Sequence, residues 1–139
     1  MDIGVDELRA MHLRRGFDDI GYHWIVTRDG IIRNGRDTDN DGNIAEEIGA
    51  HAYGYNQESV SVCWIGSVDE QGNAVDNRTD AQVMALLSMA FMLRLDYPKA
   101  ELLGHRDLSP DLNGDGRITR FEWMKQCPCY DVRAEYIGI

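Results

Sequence analysis

GYHWIVTRDGIIR, residues 21–33, decides the fold. Its first half, Gly21–Thr27, is aromatic and β-branched, as a strand requires. Asp29-Gly30 then supplies a tight turn, and Ile31, Ile32 and Arg33 lead back, so the segment predicts a β-hairpin. Alternation along the strand places Tyr22 and His23 on opposite faces. A second extended run, Ser59–Ile65 (SVSVCWI), predicts another strand with Val60, Val62 and Trp64 on one face and Cys63 on the other.

Helices flank these strands. Val5–Arg15 carries Val5, Leu8, Met11 and Leu13 near helical spacing, and Gly16 stops it. Thr79 opens a longer helix with a capping box to Gln82, running to Asp96 before Tyr97-Pro98. Met84, Met89 and Met92 are expected to pack in its core face. Glu101–Gly104 reads as a short strand delivering His105, Phe121–Gln126 as a helix, and the last residues as a short helix or extended segment. Helices alternating with strands give an α/β class, a mixed β-sheet flanked by helices. With 139 residues, one domain over 1–139 is expected.

The net charge of −10 argues against a nucleic-acid surface, which needs a basic footprint. No run is long enough to span a membrane and no basic-then-apolar leader is visible, so neither membrane insertion nor a secretory signal is expected. Three cysteines do not make a disulfide framework, and synthesis in a reducing cytoplasm is the expectation. A monomer is expected.

The most specific local pattern is Asp111–Glu122 (DLNGDGRITRFE). A twelve-residue calcium loop wants oxygen ligands at positions 1, 3, 5, 7, 9 and 12 and glycine at 6. Asp111, Asn113, Asp115, the carbonyl of Arg117, Thr119 and Glu122 fill those positions, with Gly116 at 6. An EF-hand-like Ca2+ site with a structural role follows. A second acidic loop, 37–48, has Asp37, Asp39 and Asp41 at 1, 3 and 5 and Gly42 at 6, but Ile48 at 12. It is a possible second calcium site, with Glu46 or Glu47 as substitutes for the missing carboxylate. No helix-loop-helix repeat joins the two loops. Around the first loop stand His105 and Cys127, an imidazole and a thiol of the zinc type.

In order, the helix, GYHW, RDG, GAHAYGYN (49–56), SVSVCWIG, the long helix, GHRD (104–107) and CPCYD (127–131) resemble the zinc-dependent N-acetylmuramoyl-L-alanine amidases of type 2. That family includes T7-type phage lysozymes and peptidoglycan recognition proteins, and the resemblance spans about Val5 to Val132. It implies Zn2+ held by His105 and Cys127, an active-site tyrosine at Tyr22, a catalytic lysine at Lys125, and His51 near the substrate groove. Loop 111–122 looks like an insertion in this frame. The implied reaction is hydrolysis of the amide between N-acetylmuramic acid and L-alanine in bacterial peptidoglycan, so the protein is expected to act on the cell wall, as a phage endolysin does.

The family also places a first zinc histidine on a strand before the first helix, and the sequence as read from Met1 has no counterpart to either. A shortened start, a ligand from elsewhere, or a binding module that no longer cuts are the expectations this raises. A non-catalytic peptidoglycan-binding module and a calcium-binding structural domain are therefore the competing readings.

Overall fold

The computed structural model describes residues 2–139. Its elements, in order, are helix α1 (Val5–Arg14), strands β1 (Trp24–Val26) and β2 (Ile32–Asn34), a 3-10 turn at Ile44–Glu46 and another at Asn56–Glu58. Then come β3 (Val62–Trp64), α2 (Asp80–Asp96), a 3-10 turn at His105–Leu108, and α3 (Val132–Glu135). The chain forms two compact units. Among the described residues the first comprises 2–66 and 78–86, the second 67–77 and 87–139.

The first unit holds the sheet, ordered β2-β1-β3. β1 pairs antiparallel with β2 (Ile25 opposite Arg33) and parallel with β3 (Ile25 opposite Cys63), so the sheet is mixed as expected. The hairpin also holds. The Thr27 N–H donates to the Ile31 carbonyl (3.1 Å), leaving a three-residue loop that ends on Gly30. Gly30 has φ 79°, and a Cβ there would strike the Ala81 backbone at 2.7 Å, so turn and packing both require glycine.

Leu8, Ile20, Ile25 and Ile65 form the core, with Ile3, Val5, Tyr22 and Cys63 packed on it. α1 turns a different face inward from the one its apolar residues suggest. Leu8 and His12 are buried, while Met11 and Leu13 are exposed. The cause is a hydrogen bond, since the backbone N–H of Gly21 donates to His12 Nδ1 at 2.9 Å. Asp19 fixes the rest of this corner. Its Oδ1 accepts from Arg9 Nε (2.8 Å) and the Ile20 N–H (2.7 Å), its Oδ2 from the Asp37 N–H (3.0 Å).

Gln82 is fully buried and joins the start of α2 to the sheet. Its Nε2 donates to the carbonyls of Ile65 (2.8 Å) and Val26 (3.3 Å). Its Oε1 accepts from Arg28 Nη1 (2.9 Å) and the Thr79 N–H (3.0 Å). The capping box is therefore present, with the Gln82 N–H donating to Thr79 Oγ1 at 3.1 Å.

His23 is also fully buried. Nδ1 accepts the Ser61 N–H (3.1 Å) and Nε2 lies 2.7 Å from the Glu47 carbonyl, which fixes a neutral ring protonated at Nε2. Burial, against an opposing pull from the Glu47 carbonyl, holds its pKa below the usual histidine value. The unfolded chain thus binds a proton that the folded chain resists. Stability from His23 is complete above about pH 6.5 and is lost as pH falls through the lowered folded value. His12, lowered by burial and by Arg15, acts in the same sense. The melting temperature is expected to be lower at pH 5.5 than at 7.5, with a shallower decline in His23→Gln. An equal or higher value at pH 5.5 would contradict this account.

Three local expectations fail. Glu101–Gly104 is irregular, because Gly104 and Asp107 form the entry to the 3-10 turn at His105. Phe121–Gln126 is the end of a turn followed by irregular chain, because the Met124 N–H is taken by Ser109 Oγ (3.0 Å) instead of a helical carbonyl. Of the α2 methionines only Met89 is buried. Met84 and Met92 are exposed, because Ala85, Leu86, Met89 and Ala90 occupy the inward face.

Candidate metal centre and acidic loops

His105 and Cys127 lie 22 residues apart in sequence, yet Cys127 Sγ is 3.2 Å from His105 Nδ1. Backbone contacts impose this approach. The Arg106 N–H donates to the Cys127 carbonyl at 3.0 Å. Gly104 abuts the next residue: a Cβ there would lie 2.8 Å from Pro128 Cδ. The Gly104 N–H donates to Asp107 Oδ2 at 2.8 Å, which sets the turn presenting the imidazole. Gly104 and Arg106 were not among the expected site residues. Their only sequence signal is their place on either side of His105.

Both donors suit a soft metal. In a tetrahedral site with the usual Zn–N and Zn–S lengths, nitrogen and sulfur stand about 3.5 Å apart. The observed 3.2 Å is close to that spacing. Burial, helped by the Lys125 charge, lowers the His105 pKa and keeps its lone pair available at neutral pH. Burial pushes the Cys127 thiol up, while Lys125 pulls the other way. Lys125 is thus near enough for its charge to act on both donors. Among the described residues, no third His, Cys, Asp or Glu groups with this pair. Arg106 also places its guanidinium 4.0 Å over the Trp123 ring.

Tyr22 and His51 belong to the first unit. Their rings stack at 6.5 Å, with His12 5.7 Å from Tyr22 and His23 5.7 Å from His51. Asn56 Oδ1 accepts the N–H groups of both His51 and Ala52 at 2.9 Å, shaping the turn that carries the imidazole. Gly49 lies beneath that ring, where any Cβ would collide with His51 Cδ2.

In loop 111–122 the oxygens of Asp111, Asp115 and Glu122 gather within 4.8 Å of one another. Asp111 accepts the N–H groups of Gly114 (2.9 Å) and Gly116 (2.8 Å), and Gly116 has φ 80°, as its turn position demands. Glu122 is buried and closes the loop, accepting from the Leu112 N–H (2.6 Å), the Thr119 N–H (3.0 Å) and Thr119 Oγ1 (3.1 Å). Asn113 Oδ1 accepts the Asp115 N–H at 3.1 Å. In loop 37–48 Asp37, Asp39 and Asp41 gather likewise. There Glu47 turns back onto the Thr38 N–H and hydroxyl, and Glu46 takes Asn43 Nδ2 at 2.8 Å.

The chain's sequence and fold resemble those of known proteins. The family described as N-acetylmuramoyl-L-alanine amidase (Amidase_2) matches residues 4–129. The endolysin of Klebsiella phage KP32 is 38% identical over 133 residues, covering 96% of this chain and 74% of the relative. The endolysin of Escherichia phage T7 is 34% identical over 132 residues, covering 95% and 74%. The amidase LysC of Clostridium intestinale URNW shares the fold, with a TM-score of 0.68 at 22% identity over 96% of this chain and 76% of that one. With its mixed sheet and GHRD and Cys-Pro segments inside the matched region, the chain belongs to the N-acetylmuramoyl-L-alanine amidase family of peptidoglycan hydrolases.

Proposed function

We propose that this chain, as one amidase domain, cleaves the amide between the lactyl group of N-acetylmuramic acid and L-alanine, with zinc held by His105 and Cys127. The observation that carries the site is the 3.2 Å approach of Cys127 Sγ to His105 Nδ1 across 22 residues of sequence. Zinc bound there would supply a Lewis acid and make a water acidic enough to attack at neutral pH. Neutral His105 offers its lone pair, and the Gly104–Pro128 contact holds the two donors in place. The charge of Lys125 acts on both, and it would stabilise the negative oxygen that develops on the scissile carbonyl. Tyr22 is assigned proton handling, and His51 substrate contact, by correspondence with the family. The endolysin relatives support the bacterial cell wall as the place of action.

Two measurements test this reading. Elemental analysis of the purified chain is expected to find about one zinc per chain. Mass spectrometry of digested peptidoglycan is expected to find stem peptides with a new alanine amino terminus. Cut glycan strands with intact stems, or a zinc-free chain that cuts at full rate, would overturn it.

Loop 111–122 is proposed to hold Ca2+ through Asp111, Asn113, Asp115, the Arg117 carbonyl, Thr119 and Glu122, with a structural role. The twelve-residue pattern and the gathered carboxylates support this. Asp37, Asp39 and Asp41 are the weaker, second candidate. Calcium added to metal-stripped protein at about 100 times its dissociation constant should stabilise by about 2.7 kcal/mol, which is several degrees in melting temperature. Asp115→Asn, which keeps an oxygen for the Arg117 N–H, should abolish most of the rise. No rise in the wild-type chain would refute the calcium loop.

A further inference from the structure

The stretch that carries Lys125 and Cys127 is fastened to residues 106–109 at three points, all within the second unit. The Arg106 N–H donates to the Cys127 carbonyl (3.0 Å), and Ser109 Oγ takes the Met124 N–H (3.0 Å). These two hold the backbone. The third is made by side chains alone, where the Arg106 guanidinium lies 4.0 Å over the Trp123 ring. That stack stands one residue from His105 and two from Lys125.

Lys125 itself is exposed, and a lysine side chain is a long, flexible stem. Where its charge stands is therefore set by the backbone from Trp123 to Cys127. Trp123 is not placed there for its own hydrogen bonding. Its Nε1 is buried with no hydrogen-bond partner among the described residues, which costs stability. What holds the indole is its face, against a guanidinium well inside the roughly 6 Å reach of a cation–π contact. Arginine suits this stacking because its charge is spread over a flat group.

We propose that Arg106 and Trp123 are positioning residues for the hydrolysis: their stack fixes the course of residues 123–127 and so sets where Lys125 stands relative to His105 and Cys127. This rests on the catalytic reading of Lys125 given above. Both residues act through the lysine, and two consequences follow from that. Breaking the stack lowers kcat but spares KM and zinc, because the Arg106 N–H is a backbone group that still binds the Cys127 carbonyl in any side-chain variant. Breaking it also costs nothing further once the lysine is gone.

Kinetics on a soluble muramoyl peptide test this. Arg106→Gln and Trp123→Leu are expected to lower kcat about 10- to 100-fold, with KM and zinc content nearly unchanged. Trp123→Phe keeps a ring face and removes the buried N–H, and should retain most of the wild-type kcat. In a Lys125→Met background, Arg106→Gln should lower kcat no further. Hydrogen exchange over 121–127, read by mass spectrometry, needs no activity: it should quicken in Arg106→Gln and Trp123→Leu and stay at the wild-type rate in Trp123→Phe. Unchanged exchange in the first two would overturn the proposal, as would equal losses in Trp123→Phe and Trp123→Leu, or additive losses with Lys125→Met. If Lys125→Met keeps full kcat, the catalytic reading of the lysine fails and takes this inference with it. If Lys125→Met loses kcat while Arg106→Gln and Trp123→Leu keep it, the inference fails alone.

Discussion

Cys127→Ala is expected to lower peptidoglycan amide hydrolysis at least about a hundredfold and to reduce bound zinc to a trace. The substitution removes one of the two donors that meet at 3.2 Å and leaves His105 alone. Metal content is the decisive readout, because a thiol needed only for packing would not change it. Cys129 provides the control. It lies two residues away, but its Sγ faces the Ser67 carbonyl at 3.9 Å, and its backbone is left-handed, with φ 72°. Cys129→Gly removes a thiol at a position where glycine is favoured, and should keep both zinc and activity. Equal hydrolysis by wild type and Cys127→Ala in a dye-release assay would eliminate the proposed mechanism.

Gln82→Leu is expected to destabilise the protein by about 3–5 kcal/mol, lowering the melting temperature by roughly 10 °C. Leucine fills much of the same volume but has no amide. The Val26 carbonyl and the Thr79 N–H would lose their Gln82 partner, and the buried amide would no longer receive the Arg28 guanidinium. Burying donors and acceptors that water cannot reach costs far more than such hydrogen bonds contribute when made. Thermal or urea unfolding gives the value. A loss under about 1 kcal/mol would mean that the end of the sheet and the start of α2 are joined by apolar packing, with the amide a bystander.

The sequence disclosed what depends on periodicity and on short-range chemistry. The hairpin at 21–33, the capping box at Thr79–Gln82, and the glycine at position 6 of loop 111–122 were legible because each needs particular residue types within a few positions. The inward face of α1 was not, because His12 is buried by a bond to Gly21, a partner outside the helix. Phe121–Gln126 resembled a helix continuing a calcium loop, yet the Ser109 hydroxyl claims the amide that a helix would need. Met84 and Met92 were misplaced for a related reason. α2 is apolar nearly all round, so its sequence does not say which face is buried. His105 and Cys127 could be named as donors from their residue types and family resemblance. That they touch follows from Gly104, Arg106 and Pro128, whose roles are contacts with no pattern of their own.

The bond from Arg106 to the Cys127 carbonyl, with that from Met124 to Ser109, makes the intervening chain depart and return at nearly the same place. Closing a longer loop is inexpensive, about 0.6 kcal/mol for each doubling of length. The excursion therefore behaves as a cassette. It can be shortened, extended or exchanged without moving the imidazole from the sulfur, so evolution and engineering can alter what this part of the surface touches while keeping that contact.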